Sequence, residues 1–399
     1  MRVRVLFLSP VPDFKGGAEQ SLFDLVGNPG VEPLLVVPAA GAVSAHAMSR
    51  NVPVQVLDFG SIGDVRRPFR FSQGIRVIGQ LLRVARQLVE ICRRARVDIV
   101  HSNGLKAHMV AVAARLLGGA PCVIHVRDIA NTRAERIVWK LLQLLSDQMI
   151  LVSRACWPSP RLPRNVYVVY NGVRLPARER PAPRGSALVL GFIGRIHPAK
   201  GLHVLISWLA QARRRNLALR LVVRGVFAKE TPHYEREIAE QIRALELAGH
   251  VVFEGFVADP DEVYAGIDVV CVPSTAPDPL PRSVMEAMGR GLVVVAAPCG
   301  GIPEMITHGE NGFLIENPRD FAATMQRLQS KPQLLGEIGR KARDRCVCAF
   351  TLERLHEGVD RVYARAARRS AAHLPARIGV HGMQEPRADL PVGAGKHPV

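Results

Sequence analysis

The sequence predicts an α/β fold made of two doubly wound, Rossmann-like domains. Short, continuously apolar segments alternate with segments of helical periodicity, which is typical of buried parallel strands joined by crossover helices. This alternation begins twice, with VRVLFLS at residues 3–9 and again with LVLGFI at residues 188–193. The segment at residues 174–186 is rich in Pro, Arg and Gly and has no periodicity. We therefore expect two domains joined by a linker.

The first domain is expected to span residues 1–173. After the opening strand, the predicted strands cover residues 33–37, 54–57, 98–101, 121–125 and 148–152. The predicted helices cover residues 20–26, 71–96, 107–117 and 134–145. Because strands and helices alternate, the sheet should be parallel.

The second domain is expected to span residues 187–350 and to have the same alternation of strands and helices. Its predicted strands cover residues 188–193, 219–224, 251–254, 269–273 and 292–297, followed by an edge strand after Gly312. Thr351 can cap a last helix over residues 351–369. Residues 370–399 lack periodicity and are predicted to be disordered.

Charge and aromatic content limit the functional classes. The 399-residue chain has a formal net charge of +18, of which residues 1–180 carry +13 and residues 181–399 carry +5. A basic nucleic-acid-binding protein is therefore one alternative. However, aromatic residues make up only 5% of the chain, which leaves few platforms for base stacking, and no nucleic-acid-binding motif is present. We expect no nucleic-acid partner.

Cysteine use and hydropathy indicate a cytoplasmic protein. The seven cysteines have no CxxC spacing and mostly lie in apolar segments, as reduced structural thiols do. We expect neither a signal peptide nor a membrane span, because the best apolar window, residues 109–126, is interrupted by Arg115, Pro121 and His125. A metal site is also not expected, since Cys346 and Cys348 have no neighbouring histidine cluster.

The most informative stretch is residues 271–304, which reads strand, acidic loop, helix, strand and glycine turn. Asp278 lies in the loop, and Glu286 lies about one turn inside the helix. Both can face the crevice at the carboxyl ends of parallel strands, where open α/β sheets bind ligands. A carboxylate there suits the vicinal hydroxyls of a sugar or ribose. The turn at Gly300, Gly301 and Ile302 can present backbone N–H groups to the same ligand.

A second cluster suits a diphosphate. Arg195 follows the strand at residues 188–193 after a single glycine, Gly194, and Lys200 precedes Gly201 at the start of the next helix. Two cations and oriented N–H groups at a helix N-terminus attract an anion by charge and by dipole. The segment is not a P-loop, because it contains no GK[ST] sequence.

Two strands of the first domain lead to candidate site residues. Gly16 and Gly17 follow the first strand and open a helix, which lets a ligand approach the backbone. His125 lies at a strand's carboxyl end, where catalytic groups collect, although a satisfied core histidine is the structural alternative. The spacing of the glycines is not GxGxxG, which argues against a dinucleotide cofactor.

Together these motifs resemble the retaining glycosyltransferases of the GT-B fold, family 4, also called group 1. The resemblance rests on the two acids, the Glu-Ala-Met sequence at Glu286, the Gly-Gly-x-Pro-Glu turn and the Gly-Arg with Lys-Gly pattern at Arg195 and Lys200. The family usually has Glu where this chain has Asp278, and Gly where it has Pro281. The shorter Asp278 keeps the charge but retracts it by about one methylene group.

The resemblance implies roles for these residues. Arg195 and Lys200 would bind the nucleotide diphosphate, Glu286 the ribose, and Asp278, Gly16, Gly17, Gly300, Gly301 and Ile302 the sugar and phosphates of a nucleotide-sugar donor. His125 would contact the transferred sugar and, with Asp278 and Glu286, form the catalytic set. Candidates for contacts with a glycan or lipid-linked acceptor are Glu19, His101, Asn103, Arg127 and Asp128. Neither a metal nor a cofactor is implied, and a nucleotide-sugar epimerase of the same fold is the enzymatic alternative.

Basic residues near the helix at residues 71–96 suggest a surface for an anionic membrane leaflet. Five arginines cluster around the helix start: Arg66, Arg67, Arg70, Arg76 and Arg83. Most of the apolar face of this helix is expected to pack on the sheet; the face consists of Ile75, Ile78, Leu82, Ala85, Val89 and Cys92. The alternatives are therefore a core helix with a solvated basic exterior, and reversible docking on the inner leaflet of the cell membrane.

Overall fold

The computed structural model describes residues 2–14, 16–60, 62, 74–176 and 187–371, in which the strands form two parallel sheets. The strands of the first sheet are β1 (Val3–Leu8), β2 (Val31–Val37), β3 (Val54–Val56), β4 (Ile99–Asn103), β5 (Cys122–Val126), β6 (Gln148–Leu151) and β7 (Val166–Val168). Those of the second sheet are β8 (Leu188–Ile193), β9 (Leu219–Arg224), β10 (Val251–Gly255), β11 (Val269–Val272), β12 (Val293–Ala296) and β13 (Phe313–Leu314). The predicted fold class is confirmed.

Helices cover the faces of both sheets. Those of the first half of the chain are α1 (Gly17–Val26), α2 (Ala42–Met48), α3 (Gly74–Arg94), α4 (Leu105–Leu116) and α5 (Arg133–Leu145). Those of the second half are α6 (Leu202–Arg213), α7 (His233–Ala244), α8 (Arg282–Gly289), α9 (Ile302–Met305), α10 (Pro318–Ser330), α11 (Gln333–Ala349) and α12 (Leu352–Ala371).

The strand order places one binding crevice on each sheet. The first sheet has the order β3-β2-β1-β4-β5-β6-β7, and the second has β10-β9-β8-β11-β12-β13. In each sheet the order reverses beside the first strand, between β1 and β4 and between β8 and β11. Crossovers leave these neighbouring strands toward opposite sides, so a crevice opens at their carboxyl ends. The loops that follow β1, β4, β8 and β11 therefore border the two crevices.

Burial on both faces explains why the strands read as continuous apolar runs. Every residue of β5 and of β11 is buried. Such strands have no solvent face that would select polar residues at alternate positions. The apolar cores beneath the helices stabilise the domains through the water-excluded area, at roughly 25 cal/mol per Å².

The last helix packs against the first sheet rather than the second. Leu355, Val359 and Tyr363 of α12 share one core with Val5 and Phe7 of β1. The amide of Asn28 donates a hydrogen bond of 2.8 Å to the Asp360 carboxylate. The chain thus returns from the second sheet and completes the core of the first.

Two features differ from the sequence-based expectations. Helix α2 was not predicted, because its N-cap residue is Gly41, which offers no side-chain oxygen as a cap. In α3, Val84, Ala85 and Leu88 are buried, whereas Ile78 and Leu82 are 59% and 38% exposed. Ala85, Val89 and Cys92 of the predicted apolar face are buried, whereas Ile78 and Leu82 precede the buried part of α3 and are exposed.

Some predicted segments lie outside the described residues. These include Arg66, Arg67 and Arg70, most of the linker at residues 174–186, and residues 372–399 of the tail. Within the parts of the chain that the structure describes, none of the helices has the length and apolar character required to cross a bilayer.

Candidate active site

Segments that follow β1 and β11 meet between the two sheets. The Arg282 guanidinium at the start of α8 donates to the Asp24 carboxylate of α1 over 2.6 Å and to the Ser21 hydroxyl over 3.2 Å. Nearby, the backbone amides of Arg154 and Ala155 donate to the Glu304 carboxylate over 2.8 and 2.9 Å. These contacts join the crevices of both sheets into one cleft.

Glu286 is held in place by two side chains. Tyr264 donates its hydroxyl to Oε2 over 2.8 Å, and Arg282 donates Nε–H to Oε1 over 3.3 Å. Burial and the neighbouring Glu286 charge raise the pKa of Tyr264 well above its usual value, so this tyrosine remains a donor. Each carboxylate oxygen has a second lone pair, so Glu286 can still accept hydrogen bonds from a diol.

Asp278 and Lys200 form an ion pair. The Lys200 ammonium donates to Oδ2 of Asp278, and the other carboxylate oxygen accepts the Leu280 amide over 3.2 Å. Lys200 ends a short 3-10 turn at Pro198–Lys200, just before α6. The two residues predicted to bind different parts of the donor, its sugar and its diphosphate, therefore contact each other directly.

The glycine turn packs its backbone against the acidic loop. A Cβ on Gly300 would lie 2.0 Å from the Asp278 carbonyl oxygen, and one on Gly301 would lie 1.9 Å from that of Pro279. Gly300 also has φ +60°, a conformation that L side chains rarely adopt. The Gly301 amide donates to Asp278 O over 2.9 Å, and the Ile302 amide to Cys299 O over 3.3 Å. These two predicted donors to a ligand are therefore engaged by protein carbonyls.

Arg195 lies two residues after the end of β8 and is exposed. Its guanidinium is 3.4 Å from the exposed Glu230 carboxylate, which is a weak, solvated ion pair. Gly194 and Gly225 bring their backbones close together beside it, since a Cβ on Gly225 would lie 1.9 Å from Gly194 O. Arg195 therefore lies at the carboxyl end of β8, beside the point where the strand order of the second sheet reverses. Its side chain is accessible to an anion.

On the opposite side, the glycine loop lies beside Arg282. A Cβ on Gly17 would lie 3.0 Å from Cδ of Arg282, so Gly17 leaves the space that this arginine occupies. The Gly16 amide donates to the Glu19 carboxylate over 2.9 Å. Glu19 is buried and caps α1. This contact gives Glu19 a structural role besides the acceptor contact predicted from the sequence.

A buried polar cluster lies at the ends of β4 and β5. Arg127 donates to Asn103 over 2.6 Å, to Asn171 over 2.5 Å and to Nδ1 of His125 over 3.4 Å. The same Nδ1 is 3.2 Å from Nε2 of His101. Four of the predicted residues, His101, Asn103, His125 and Arg127, are thus in contact. Asp128, the next residue along the chain, is exposed.

Charges from three elements meet at Arg127. Burial lowers the pKa of Arg127 to about 10, while the negative charges of Asp24 and Glu19 oppose this shift and Arg282 adds to it. Burial also lowers the pKa values of His101 and His125 well below the usual value, with Arg127 as the second cause. The arginine carries the local positive charge, and the two histidines are neutral.

Among the described residues, no three His, Cys, Asp or Glu side chains converge in a way that could hold a metal ion. The cleft instead contains cationic side chains: Arg127, Arg195, Lys200 and Arg282. Such an arrangement can bind an anion through charge-assisted hydrogen bonds.

Comparison with known families agrees with this geometry. The family model described as "Glycosyl transferases group 1" matches residues 187–331, and the one described as "Glycosyl transferase 4-like domain" matches residues 22–150. The chain belongs to the group 1 glycosyltransferases. The family assigned from the sequence motifs is therefore confirmed.

Relatives of this group 1 glycosyltransferase have different names and functions. It is 30% identical to the spore coat protein SA of Bacillus subtilis over 45% of this chain and 49% of the relative. It is also 30% identical to a D-inositol 3-phosphate glycosyltransferase of Rhodococcus erythropolis, over 51% of this chain and 49% of that protein. The chain spans about half the length of these curated relatives.

Among solved structures, Anabaena Alr3699/HepE in complex with UDP and glucose is similar to this group 1 glycosyltransferase. The sequence identity is 25%, the TM-score is 0.75, and the match covers 91% of this chain and all of that one. A sucrose-phosphate synthase from Thermosynechococcus elongatus matches with a TM-score of 0.70 at 16% identity, which shows the fold alone.

Several residues of this glycosyltransferase's cleft were not singled out from the sequence. Asp24, Tyr264 and Arg282 form one connected group around Glu286. The only sequence signal was the i,i+4 spacing of Arg282 and Glu286 on one helix, which favours an ion pair. The contact of Arg282 with Asp24 spans 258 positions and has no local signature.

Proposed function

We propose that this protein is a retaining glycosyltransferase that moves a sugar from a nucleotide-sugar donor to a glycan or lipid-linked acceptor. One observation carries the proposal: the acidic pair Asp278 and Glu286 lies in the same cleft as the cationic residues and the His125 cluster. A nucleotide sugar needs acceptors for its hydroxyl groups and cations for its diphosphate. The similar Anabaena HepE, whose structures contain UDP and UDP-glucose, supports this donor class.

Each residue has a proposed task. Glu286 accepts hydrogen bonds from the ribose diol, and Tyr264 with Arg282 holds its carboxylate ready. Arg195 and Lys200 neutralise the diphosphate, with Asp278 positioning Lys200 before the donor arrives. His125 contacts the transferred sugar. The cations stabilise the charge that develops on the leaving group, as a preorganised electrostatic environment.

The proposed chemistry is a front-face displacement. The bond between the anomeric carbon and the diphosphate oxygen breaks, and a bond to the acceptor oxygen forms on the same face. The leaving phosphate takes the acceptor's proton, so no enzymatic nucleophile is required. Neither a metal nor an organic cofactor takes part in this scheme. Arg195 and Lys200 take the place of the divalent ion that would otherwise neutralise the diphosphate.

A nucleotide screen tests the proposed donor class. A ligand that binds the folded state raises the melting temperature by mass action, so UDP, GDP or ADP should raise it when present well above its Kd. Arg195→Ala should reduce this shift and lower kcat/KM by roughly 30- to 1000-fold, since one charge-assisted contact to the leaving group is lost. Arg220→Ala removes an exposed arginine of β9 as the matched control.

The screen has clear negative outcomes. If none of the three diphosphates stabilises the protein, the donor class is wrong. If Arg195→Ala behaves like Arg220→Ala, with rates within about threefold of the wild type, Arg195 has no role at the leaving group. Turnover of a nucleotide sugar without any acceptor would instead favour the epimerase alternative. Tighter binding of an oligonucleotide than of any nucleotide would favour the nucleic-acid alternative.

We further propose that the acceptor is reached at the cytoplasmic leaflet of the membrane, through helix α5. Ile137, Leu141 and Leu144 recur at i, i+4 and i+7, and they are 59%, 51% and 71% exposed. At 100° per residue, these positions form one apolar strip on the solvent side of the helix. Trp139 and Leu142 are buried and anchor the opposite side of α5.

Basic residues border the apolar strip. Arg133, Arg136 and Lys140 are exposed on the adjoining part of the same helix surface. Glu135, the one acid of α5, accepts the backbone amides of Asn131 and Thr132 at the helix start. A helix with an exposed apolar strip beside cationic side chains suits an anionic membrane interface, where each basic residue contributes about 1 kcal/mol.

A further inference from the structure

A chain of hydrogen bonds connects the last helix to His125. The Tyr363 hydroxyl of α12 lies 2.8 Å from Nδ1 of His101, and Nε2 of His101 lies 3.2 Å from Nδ1 of His125. All three side chains are buried. At the end of the chain, Nε2 of His125 is buried and has no hydrogen-bond partner among the described residues.

Arg127 decides the direction of these hydrogen bonds. Its guanidinium can only donate, so Nδ1 of His125, 3.4 Å away, must be the acceptor. Nε2 of His101 also faces Nδ1 of His125. If both of these nitrogens were unprotonated, their lone pairs would repel each other. Nε2 of His101 must therefore carry a proton and donate, which leaves its Nδ1 as the acceptor for the Tyr363 hydroxyl.

The charge of Arg127 excludes the alternative in which one of the two histidines is doubly protonated. A doubly protonated His101 or His125 would place a second buried cation beside Arg127. Burial and Arg127 both lower the pKa values of these imidazoles, so each carries a single ring proton. For a neutral imidazole, the partner of one nitrogen fixes the state of the other.

We infer that Tyr363 and His101 act as positioning residues that hold His125 in the Nε2–H tautomer, so that His125 donates a hydrogen bond to a hydroxyl oxygen of the transferred sugar. The sugar contact rests on the proposed function, whereas the tautomer is a property of the ligand-free protein. His125 acts as a hydrogen-bond donor here rather than as a general base, because its Nε2 carries the proton. Its Nδ1 is occupied by Arg127 and His101.

Nitrogen NMR of the ligand-free protein tests the tautomers directly. Long-range proton–nitrogen correlation on ¹⁵N-histidine-labelled protein distinguishes a protonated ring nitrogen from an unprotonated one. We expect protonated Nε2 and unprotonated Nδ1 for both His101 and His125 at pH 7. His101→Gln assigns the signals by the loss of one set. Detection of the Nδ1–H form in either histidine would overturn the inference, whether or not the protein transfers sugar.

Tyr363→Phe tests the origin of the tautomer. It removes the hydroxyl donor and leaves Nδ1 of His101 free to carry the proton, so the His101 signals should shift toward mixed tautomers. The His125 signals should shift in the same direction by a smaller amount, because the contact with Arg127 remains. Sugar transfer should lose on the order of 10-fold in kcat, with a smaller change in KM for the donor, because a preorganised donor to the reacting sugar is weakened.

The matched control is Tyr234→Phe. Tyr234 is also buried and lies 2.8 Å from Nδ1 of a histidine, His203, but this pair belongs to α6 and α7. Tyr234→Phe should leave the His101 and His125 signals and kcat unchanged.

Unchanged signals and an unchanged kcat in Tyr363→Phe would show that Tyr363 only fills space. If Tyr363→Phe fails to fold, the wild-type tautomers still decide the inference. A lack of transfer activity with the expected tautomers would count against the proposed function alone.

Discussion

The Glu286 carboxylate shows how single residues prepare the cleft. Tyr264 and Arg282 each donate to one of its oxygens, so the carboxylate is oriented before any ligand binds. Orientation in advance reduces the entropy cost of binding, because fewer side-chain rotations are lost when a diol arrives. Glu286 therefore combines a fixed geometry with free lone pairs.

Glu286→Gln tests this role. The amide keeps the size of the side chain but replaces one acceptor oxygen by an NH₂ donor. The single remaining oxygen cannot serve both protein donors and the two ribose hydroxyls. We expect the Kd for the nucleoside diphosphate to rise about 10-fold, which corresponds to about 1.4 kcal/mol, with a near-unchanged melting temperature of the free protein. Calorimetric titration measures the first quantity and thermal unfolding the second.

Tyr264→Phe serves as the control for Glu286→Gln. It removes a protein donor to Glu286 but keeps the negative charge and both acceptor oxygens. We expect it to weaken nucleotide binding less than Glu286→Gln does. If Glu286→Gln binds the diphosphate as well as the wild type, the assignment of Glu286 to the ribose is wrong.

For single residues, the sequence indicated which side chains could bind a ligand but not which side chains contact each other. Asp278, Glu286, Arg195 and Lys200 could be found because they follow apolar strands or start helices, and strand ends in α/β sheets border ligand crevices. Their roles stay predictions. Arg282 and Tyr363 could not be found, because their contacts reach across 258 and 262 positions. A single sequence carries no periodicity that pairs such distant residues.

Among the elements, the glycine turn before α9 has the least room for change. The substitution Gly301→Ala would place a Cβ 1.9 Å from Pro279 O and 3.0 Å from Cβ of Ser153. Backbone must then move, so we expect a loss of more than about 2 kcal/mol in the free energy of unfolding, together with lower activity.

A glycine in open space provides the comparison for Gly301→Ala. Gly336 lies in α11, and a Cβ there would meet nothing within 4 Å. Gly336→Ala should stabilise the protein by about 0.5–1 kcal/mol, because alanine favours the helix. Denaturant unfolding of both variants measures the difference. Equal stability of the two variants would contradict the backbone contact seen at Gly301.

Helix α5 is the element whose surface carries the membrane proposal. Wild-type protein should float with anionic vesicles at low salt and be released as rising ionic strength shortens the Debye length. Joint replacement of Arg133, Arg136 and Lys140 by Gln should weaken vesicle binding about 100-fold, since each cation contributes about 1 kcal/mol. Joint replacement of Ile137, Leu141 and Leu144 by Gln should also reduce it.

Two comparisons make the flotation assay specific. Phe256→Gln removes an apolar side chain of the second half that is also largely exposed, and it should not affect flotation. Replacement of Arg66, Arg67, Arg70, Arg76 and Arg83 by Gln tests the basic cluster predicted from the sequence. Equal recruitment to neutral and anionic vesicles, or unchanged flotation of both α5 variants, would make a soluble acceptor the better hypothesis.

The elements themselves were largely predictable. Strands such as β8 and β9 agree with the predicted ranges because buried parallel strands leave a clear apolar signal. The face of α3 was harder, since its apolar periodicity continues through Ile78 and Leu82 although burial does not. Periodicity reports which residues could be buried, and only the packing of neighbouring elements decides which of them are.

For the whole molecule, the central prediction is the stereochemical course. A front-face displacement in one cleft should convert an α-linked nucleotide sugar into an α-glycoside, and EDTA should leave the rate unchanged because cations replace a metal. Proton NMR of the anomeric coupling identifies the product for a gluco-configured sugar. A β-glycoside would contradict the retaining mechanism, and loss of activity in EDTA that Mg²⁺ or Mn²⁺ restores would contradict the metal-free scheme.

The position of Tyr363 in the chain also affects how the protein is made. Synthesis at roughly 5–20 residues per second places Tyr363 about 13–50 s behind His101. During this interval, the part of the first sheet that packs on α12, which includes Ile99, Val123 and Ile150 of β4, β5 and β6, lacks this helix. A nascent first domain therefore exposes an apolar surface that chaperones can bind, and its His101 lacks the hydroxyl donor of Tyr363. The cleft is completed only when α12 leaves the ribosome, so the ribosome-bound chain up to residue 350 should be inactive.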